Sequence, residues 1–477
     1  MARPKTSQQG RMQSGEQLRV LADVATPFFA AELLMNLALT VPHAILTPLL
    51  LDKGLSLSQI LLVQAGFSIA VLLFEFPSGS IADMISRRTL YFISRLVFCA
   101  FFLLVIFGHG FPLMLLAWII YGLATALESG TLDAALINNA KNRQGAAAST
   151  VGGLAGTVDA PDTQSAAGPT APDHVESRIS WLVRKEGQSA YLGMMIGSTI
   201  GALLYLSVGA NIYFISVGAT VISVVTIALF FRIPEQHKVA TVGGSKAAAN
   251  VGENEAGASV DKHDAARIGG ARRLWQELRS HARATVEEMR NSAALRQFLL
   301  LAVVAQAFLQ LHFQLWQAVG LEKGFGESHL LFLYLLFIGM AFGASFIRPE
   351  VLFRRRGLVV AAVVAFPGLA WLSYLVDGWV YLVFYGALAF LLIVFANYSA
   401  FGVRRASSVE RIGAVTSLVG VVGRIGAIGV LAVASVFVNF YSAAAVASGG
   451  FVVLVVLGLG WVGLRRVALR RLHVEQK

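Results

Sequence analysis

The sequence predicts an all-α membrane protein in which twelve transmembrane helices form two six-helix halves. Of its 477 residues, 56% are hydrophobic and only 14% are charged, whereas about 25% of the residues in an ordinary soluble domain are charged. Twelve helices of about 20 apolar residues each would use nearly all of the hydrophobic residues. The single cysteine, Cys99, excludes a disulfide framework and a cysteine-based metal site. The composition therefore argues against a disordered chain and against a soluble enzyme.

Twelve apolar segments, which we call spans 1 to 12, fall into two sets of six. Spans 1 to 6 cover residues 23–50, 58–78, 89–108, 113–138, 189–208 and 211–232, and spans 7 to 12 cover residues 297–320, 328–347, 357–376, 380–402, 413–435 and 442–464. Some connections are very short, such as 108–111 and 377–378, so the helices that they join are expected to be antiparallel neighbours. We therefore expect an N-terminal half at residues 23–232 and a C-terminal half at residues 297–464.

The polar parts of the chain are expected to lie outside the membrane. They are a tail at 1–22, an insertion at 143–173 between spans 4 and 5, a linker at 233–296 and a basic tail at 465–477. The insertion is rich in Gly, Ala, Thr, Pro and Asp, which is typical of a flexible segment, and we assign it no role. Within the linker, residues 272–296 predict a basic amphipathic helix. It either lies on the anionic inner leaflet or forms a solvated connection between the halves.

The basic residues predict the orientation of the chain. The net charge is +11, and 34 of the 38 Lys and Arg residues fall in the termini and in connections on one side of the predicted bundle. The opposite side has only Lys53 and Lys323, while Arg95 and Arg424 lie within spans. Because membrane proteins collect Lys and Arg on the cytoplasmic side, we expect a multi-pass protein of the cytoplasmic membrane with both termini in the cytoplasm. The same explanation removes the need for a nucleic-acid partner.

The loop between spans 2 and 3 carries the most specific motif, Gly79-x-x-x-Asp83-x-x-x-Arg87-Arg88. Gly79 allows close backbone approach, and Asp83 is suited to a neighbouring helix N-terminus. The two arginines can pair with carboxylates on adjacent helices, and Asp133 at the end of span 4 is the expected partner.

This loop resembles the signature G-x-x-x-D-x-x-G-R-R of the major facilitator superfamily, with Ser86 in place of the usual glycine. The end of span 4, from Glu128 to Ala134, is similar to that of some bacterial drug-efflux members of the superfamily. The resemblance implies two six-helix halves that rock about a central cavity lined by spans 1, 4, 7 and 10. It also implies that the loop between spans 2 and 3 acts as a conformational latch.

In each of four spans, polar residues recur on one face of the predicted helix. Unpaired polar groups are energetically unfavourable in lipid. The recurring residues are Glu32, Asn36, Thr40, His43 and Thr47 on span 1, Gln64, Ser68 and Glu75 on span 2, Tyr121, Thr125 and Glu128 on span 4, and Gln306, Gln310, Gln314 and Gln317 on span 7. At about 100° per residue each set forms a stripe along its helix. These stripes either face a water-accessible cavity that binds substrate or hydrogen-bond one helix to another.

Two carboxylic acids are candidates for proton coupling. Glu32 is expected near mid-membrane, where burial favours the neutral, protonated form of an acid, and Glu128 is the second candidate. Arg424, inside span 11, requires an internal acid or a substrate anion. We expect Arg95 to support the loop between spans 2 and 3, and His312 to have a structural role.

Span 5 carries Gly193, Gly197 and Gly201 at four-residue spacing. Such spacing permits close packing of two helices. The superfamily's antiporter signature has a Gly-Pro pair here, whereas Ser198 follows Gly197 in this chain. We therefore interpret the glycines as a packing surface.

These features predict a secondary transporter that works by alternating access, with proton-coupled efflux of a small amphipathic compound or drug as the favoured activity. The alternative is uptake or export of an anionic metabolite bound by Arg424. A membrane-embedded enzyme or a transport-dead sensor is a remote alternative. The sequence has no G-x-x-x-x-G-K-[ST] loop for ATP. The expected partners are substrate, protons and membrane lipids, without a metal or other cofactor, and the expected state is a monomer.

Overall fold

A computed structural model describes residues 25–128, 171–231, 287, 289–347, 349–407, 412–453 and 456. All regular structure in these residues is helical, and each of the twelve predicted spans contains a described helix, so the all-α fold class is confirmed. Eight helical stretches of the described chain are long and apolar enough to cross a membrane, and the stretch at residues 188–230 combines spans 5 and 6.

The N-terminal half contains seven described α-helices. They are α1 (Ala25–Thr40), α2 (Leu46–Asp52), α3 (Leu57–Met84), α4 (Arg87–Phe107), α5 (Gly110–Glu128), α6 (Ala171–Val208) and α7 (Tyr213–Phe230).

The C-terminal half also contains seven described helices. They are α8 (Ala293–Glu322), α9 (Glu327–Ser345), α10 (Pro349–Arg354), α11 (Arg356–Leu375), α12 (Gly378–Ala406), α13 (Ile412–Phe437) and α14 (Ala443–Val453). Large hydrophobic side chains on the outside of both halves are exposed, among them Leu96, Leu203 and Val383. Such an apolar surface belongs in lipid, and the chain is a multi-pass membrane protein.

Span 1 is broken into α1 and α2 at Pro42. Proline has no N–H to donate, so the carbonyl oxygen of Ala38 lacks its usual helical partner, and the Ser216 hydroxyl of α7 donates to it at 2.6 Å instead. The amides of His43 and Ile45 bond three residues back rather than four. The sequence predicted one continuous helix at 23–50, and the structure corrects it to two helices with a turn between them.

The fifth span is longer than its apolar segment. The sequence placed it at 189–208, whereas α6 begins at Ala171 and has 38 residues, which corresponds to about 57 Å at 1.5 Å per residue. Hydropathy marks the part of a helix that lies in lipid rather than the place where the helix begins. The predicted insertion therefore ends inside α6 at 171–173, and its residues 143–170 lie outside the described chain, as do both tails. The predicted amphipathic helix at 272–296 lies largely outside it as well.

A short sequence repeat joins the helices of each half at one end of the bundle, which we call the lysine face. Lys53 and Lys323 each follow an acidic residue and precede a glycine with positive φ, +84° at Gly54 and +86° at Gly324. Lys53 Nζ donates to the Ile106 carbonyl at the end of α4, at 2.7 Å, and burial lowers the pKa of this amine.

The second copy of the repeat makes the same contacts. Lys323 Nζ donates to the Tyr374 carbonyl at the end of α11, at 2.6 Å, and to Asp377 Oδ1 at 2.9 Å. The Lys53 carbonyl accepts from Gly110 N at 2.9 Å, and the Lys323 carbonyl accepts from Gly378 N at 3.2 Å. These two equivalent contacts in each half, one from the lysine Nζ and one to the lysine carbonyl, indicate that the halves are related, although the sequence analysis found only the 6 + 6 spacing as evidence of it.

The acid before each lysine holds a further helix. Asp52 accepts a hydrogen bond from the Tyr205 hydroxyl near the end of α6. The Glu322 carboxylate accepts from the backbone amides of Ala443 and Ala444, at 2.6 and 2.8 Å, at the start of α14. A negative charge is favoured at a helix N-terminus. Each acid–lysine pair therefore ties three parts of its half together at the lysine face.

Candidate functional site

One buried arginine lies between two carboxylates from different helices. Arg95 of α4 is 1% exposed; its Nη2 lies 2.5 Å from Glu128 Oε1 on α5 and 3.8 Å from Glu32 Oε1 on α1. The guanidinium also stacks over the Tyr91 ring, with 4.3 Å between the guanidinium carbon and the ring centroid. We call Glu32, Arg95 and Glu128 the carboxylate cluster. It brings together both acids that the sequence singled out for proton coupling.

The position of Arg95 corrects the sequence interpretation. Arg95 was expected to support the loop between spans 2 and 3, and its close partners are instead the two candidate acids. An arginine inside an apolar helix must find an acid or carbonyl groups, so a partner could be anticipated. The identity of that partner depends on how α1, α4 and α5 are rotated against one another.

The three side chains of the carboxylate cluster carry a net charge of −1 when both acids are ionised. Glu32 is 18% exposed and Glu128 is 25% exposed, whereas the arginine is buried. Asn36 Nδ2 donates to the Glu32 carbonyl at 2.9 Å and lies 3.5 Å from its Oε2. Asn36 therefore lies beside the carboxylate that is farther from the arginine.

The polar stripe of span 1 does not act as one surface. Glu32 and Asn36 belong to the cluster, whereas the buried hydroxyl of Thr40 bonds to the Asn36 carbonyl at 2.6 Å and faces the Met194 carbonyl of α6 at 3.3 Å. His43 and Thr47 contact α8 through their backbone. For Thr40 and His43 these contacts favour helix–helix hydrogen bonding over substrate contact.

Aromatic packing surrounds the polar residues of span 4. The Tyr121 ring stacks on Phe67 of α3 and on Phe101 of α4, with centroids 4.5 and 4.7 Å apart. The Thr125 hydroxyl donates to the Tyr121 carbonyl at 2.9 Å. Both residues are half-buried and lie on the turns of α5 that precede Glu128. They remain candidate substrate contacts.

The polar residues of span 2 have two different roles: two of them pack between helices and the third forms an ion pair. Gln64 and Ser68 are buried, and Ser68 donates to the Gln64 carbonyl at 3.1 Å, which favours helix packing over substrate contact. Glu75 Oε2 lies 3.5 Å from Arg424 Nε on α13, where the two side chains are 45% and 34% exposed. Arg424 thus has the internal acid that the sequence required. This pair joins the two halves.

The glutamines of span 7 become progressively buried toward the lysine face. Gln306 is exposed, Gln310 and Gln314 are half-buried, and Gln317 is only 3% exposed. Gln306, Gln310 and Gln314 remain candidate cavity residues. Gln317 does not line an open cavity, because its amide bonds to the backbone of span 1 in the other half, to Thr47 N and to the His43 carbonyl, both at 2.5 Å.

His312 has a packing environment. Its ring stacks on Phe337 of α9 at 4.7 Å and lies 5.5 Å from the Tyr385 ring of α12, on a different face of α8 from Gln317. These contacts favour the structural role expected from the sequence. Among the described residues, no group of three or more His, Cys, Asp or Glu side chains could hold a metal ion.

The glycines of span 5 pack against span 1. A Cβ added at Gly193, Gly197 or Gly201 would collide with backbone carbonyl oxygens of α1 and the turn after it, those of Leu33, Leu37 and Val41 respectively. The absence of side chains lets α6 approach the backbone of α1 directly. The packing interpretation of these glycines is confirmed.

A family model described as Major Facilitator Superfamily matches residues 28–159 and 188–431 of the chain. The protein belongs to the major facilitator superfamily. The gap in the match, residues 160–187, covers part of the predicted insertion and the polar start of α6. No curated protein matches this chain.

Solved structures of transporters share this fold at low sequence identity. A mutant of the nucleoside transporter NupG is 14% identical, with a TM-score of 0.60 and coverage of 90% of this chain and 98% of that chain. A bacterial homologue of the iron transporter ferroportin in the inward-facing state is 14% identical, with a TM-score of 0.58 and coverage of 92% and 98%. The POT family transporter PepTSo is 15% identical, with a TM-score of 0.57 and coverage of 94% and 98%.

The superfamily loop between spans 2 and 3 is partly described. Gly79 and Asp83 lie in the final turns of α3, and Arg87 is the first residue of α4. Ser86 is the N-cap of α4, since its Oγ accepts from Thr89 N at 3.0 Å. A serine N-cap stabilises a helix start, which explains how this member tolerates Ser86 in place of the superfamily glycine.

Arg88 holds the end of another helix of this superfamily member. Its Nη2 donates to the Ala228 carbonyl at 2.7 Å and to the Ile227 carbonyl at 3.4 Å, in the last turn of α7. Cations are favoured at helix C-termini. The expected carboxylate partner Asp133 lies outside the described residues, so its pairing with Arg87 or Arg88 stays a prediction.

Asp83→Asn is expected to abolish most transport while leaving the amount of membrane-inserted protein unchanged. The change keeps the size of the side chain but removes the charge on which the predicted latch depends. Uptake or efflux in vesicles, normalised to protein amount, measures it. Ser86→Gly is the matched control in the same loop and should retain activity, because glycine replaces a serine N-cap at a cost of a few tenths of a kcal/mol. Full transport by Asp83→Asn would contradict the latch hypothesis.

Proposed function

We propose that this member of the superfamily is a proton-coupled exporter of a small amphipathic compound and that the carboxylate cluster is its coupling site. The observation that carries the proposal is the sharing of one buried arginine by two partly exposed acids, Glu32 and Glu128. Two acids and one base leave a single negative charge, and uptake of one proton neutralises the cluster.

The two acids differ in how tightly the arginine holds them. Glu128 lies 2.5 Å from Arg95 Nη2, in direct contact, whereas Glu32 lies 3.8 Å away. A short contact between opposite charges is stronger than a long one, so Glu128 is the acid that the arginine holds. Glu32 is therefore the proton carrier in our proposal, and Glu128 is the fixed counter-ion of Arg95.

The surroundings of the cluster suit an amphipathic substrate. The Tyr121 ring of α5 stacks on Phe67 of α3, and Tyr121 precedes Glu128 by about two turns of α5. Aromatic side chains and a carboxylate therefore follow one another along α5. The efflux-like end of span 4 supports export as the direction. Arg424 is occupied by Glu75, so the structure offers less support for an anionic substrate bound by that arginine.

Glu32→Gln is expected to retain substrate binding but to lose most of the proton release that accompanies it. Glutamine mimics the protonated acid and cannot give up a proton. The measurement adds ethidium, as a probe amphipathic compound, to purified protein in weakly buffered detergent and follows the pH with an indicator dye. Ethidium fluorescence reports binding in the same sample.

Glu75→Gln is the matched control, because Glu75 is also an intramembrane acid paired with an arginine. It should release protons as the wild type does. Undiminished release from Glu32→Gln would remove Glu32 from the mechanism and favour Glu128 as the carrier. Binding of several amphipathic probes by the wild type without proton release at any pH would contradict proton coupling itself.

A further inference from the structure

Because of the break in span 1, one of its helical backbone hydrogen bonds is not formed. In a continuous helix the Thr47 amide would donate to the His43 carbonyl four residues earlier. Here Gln317 of the other half lies between them: its Oε1 accepts from Thr47 N, and its Nε2 donates to the His43 carbonyl, both at 2.5 Å. The side-chain amide takes the place of a missing peptide group.

This contact lies where the two halves meet at the lysine face. Gln317 precedes Glu322 and Lys323 by less than two helical turns, and both Gln317 and Thr47 are buried. Nearby contacts also cross between the halves. The His43 ring lies 6.5 Å from that of Tyr334 on α9, and Asn439 Nδ2 lies 3.4 Å from Ser58 Oγ.

We propose that Gln317 closes the lysine face of the transport path by bonding to the broken backbone of span 1. Separation of the halves at this face must break both hydrogen bonds together. Opening would leave the Thr47 N–H and the His43 carbonyl without a partner until water solvates them. The loss of both hydrogen bonds therefore opposes opening. Gln317 acts as a positioning residue for the conformational change, independently of the substrate and of the coupling ion.

The chemistry of the contact requires an amide. A primary amide offers one acceptor and one donor side by side. An ionised glutamate would keep the acceptor for Thr47 N but would face the His43 carbonyl without a proton, and leucine would supply neither group. The acid–lysine pairs Asp52–Lys53 and Glu322–Lys323 anchor α2 and α8 within their own halves. When the halves separate at the lysine face, the contacts of the acid–lysine pairs can therefore stay intact, whereas the Gln317 contact must break.

The test measures access of a thiol reagent to the closed contact. In a Cys99→Ser background, Thr47→Cys keeps the backbone amide and places a thiol at a buried position. Purified protein is labelled with a bulky hydrophilic maleimide, with and without Gln317→Leu. We expect labelling to be about tenfold faster or more in the leucine variant, since two hydrogen bonds of the closed state are lost. Gln297→Leu, near the start of the same helix and outside the candidate cavity residues, should not change the labelling rate.

A second measurement covers the case in which Gln317→Leu does not fold. Ser58→Cys with Asn439→Cys places a thiol on each half at the lysine face, and the rate of disulfide formation reports closure. Gln317→Glu, which keeps size and the acceptor, should slow this cross-link relative to Gln317. If labelling of Thr47→Cys and cross-linking are both unchanged in folded Gln317 variants, the proposal is overturned. This result would leave proton coupling at Glu32 unaffected, because neither readout depends on it.

Discussion

Arg95→Met is expected to yield little folded protein. The change leaves the carboxylates of Glu32 and Glu128 close together without the guanidinium that lies between them. Removing one partner of a buried ion pair costs about 3 to 5 kcal/mol, which is comparable to a large share of the stability of a folded protein. Fluorescence-detected size exclusion and thermal unfolding in detergent measure the loss.

Two comparisons separate this electrostatic effect from lost packing. Arg424→Met removes the arginine of a much more exposed pair, 34% against 1% for Arg95, and should destabilise the protein less than Arg95→Met does. Combining Arg95→Met with Glu32→Gln and Glu128→Gln removes all three charges and should restore folded protein, without restoring proton release. Equal destabilisation by Arg95→Met and Arg424→Met would refute the assignment of the cluster as a buried charge centre.

Gly201→Leu is expected to prevent assembly of the N-terminal half. The Cβ alone would collide with the Val41 carbonyl, and a backbone group cannot turn aside as the end of a flexible side chain can. Forcing extra atoms into a packed interface costs about 1 to 3 kcal/mol or more, and here α6 must move away from the turn that breaks span 1. Monodisperse protein recovered after detergent extraction is the measurement.

Gly218→Ala provides the matched control on the neighbouring helix α7. A Cβ at Gly218 meets nothing within 4 Å, and alanine favours a helix over glycine, so the amount and stability of the protein should be unchanged or slightly increased. Gly201→Ala should fall between the two, because its methyl group meets the same carbonyl. Normal recovery of Gly201→Leu would show that α1 and α6 are not packed as described.

Some site residues could be found from the sequence because a charged side chain inside a membrane span is energetically unfavourable unless it has a partner. Glu32, Glu128 and Arg424 stand out in apolar spans, and each has a charged partner in the structure. The glycines of span 5 were interpretable for a similar reason, since a regular four-residue spacing marks one helix face. These inferences needed only the periodicity of a single helix.

Other features depended on partners that no single helix specifies. Arg95 was assigned to a loop although it holds both candidate acids, and Gln317 was grouped with three cavity glutamines although it bonds to the backbone of span 1. The break at Pro42 could have been suspected from the proline. The group that completes its hydrogen bonds comes from a helix some 270 residues away in the chain.

The sequence by itself determined the helical fold class, the number of membrane spans and the side chains that require a partner in lipid. It could do so because hydropathy and helical periodicity are local properties. Only the tertiary structure decided which acid meets which arginine, which polar stripe residues face another helix and how the two lysine repeats join their halves. Those outcomes depend on the rotation and separation of packed helices, which are set by contacts such as that of Gly201 with Val41 and not by the pattern along any one span.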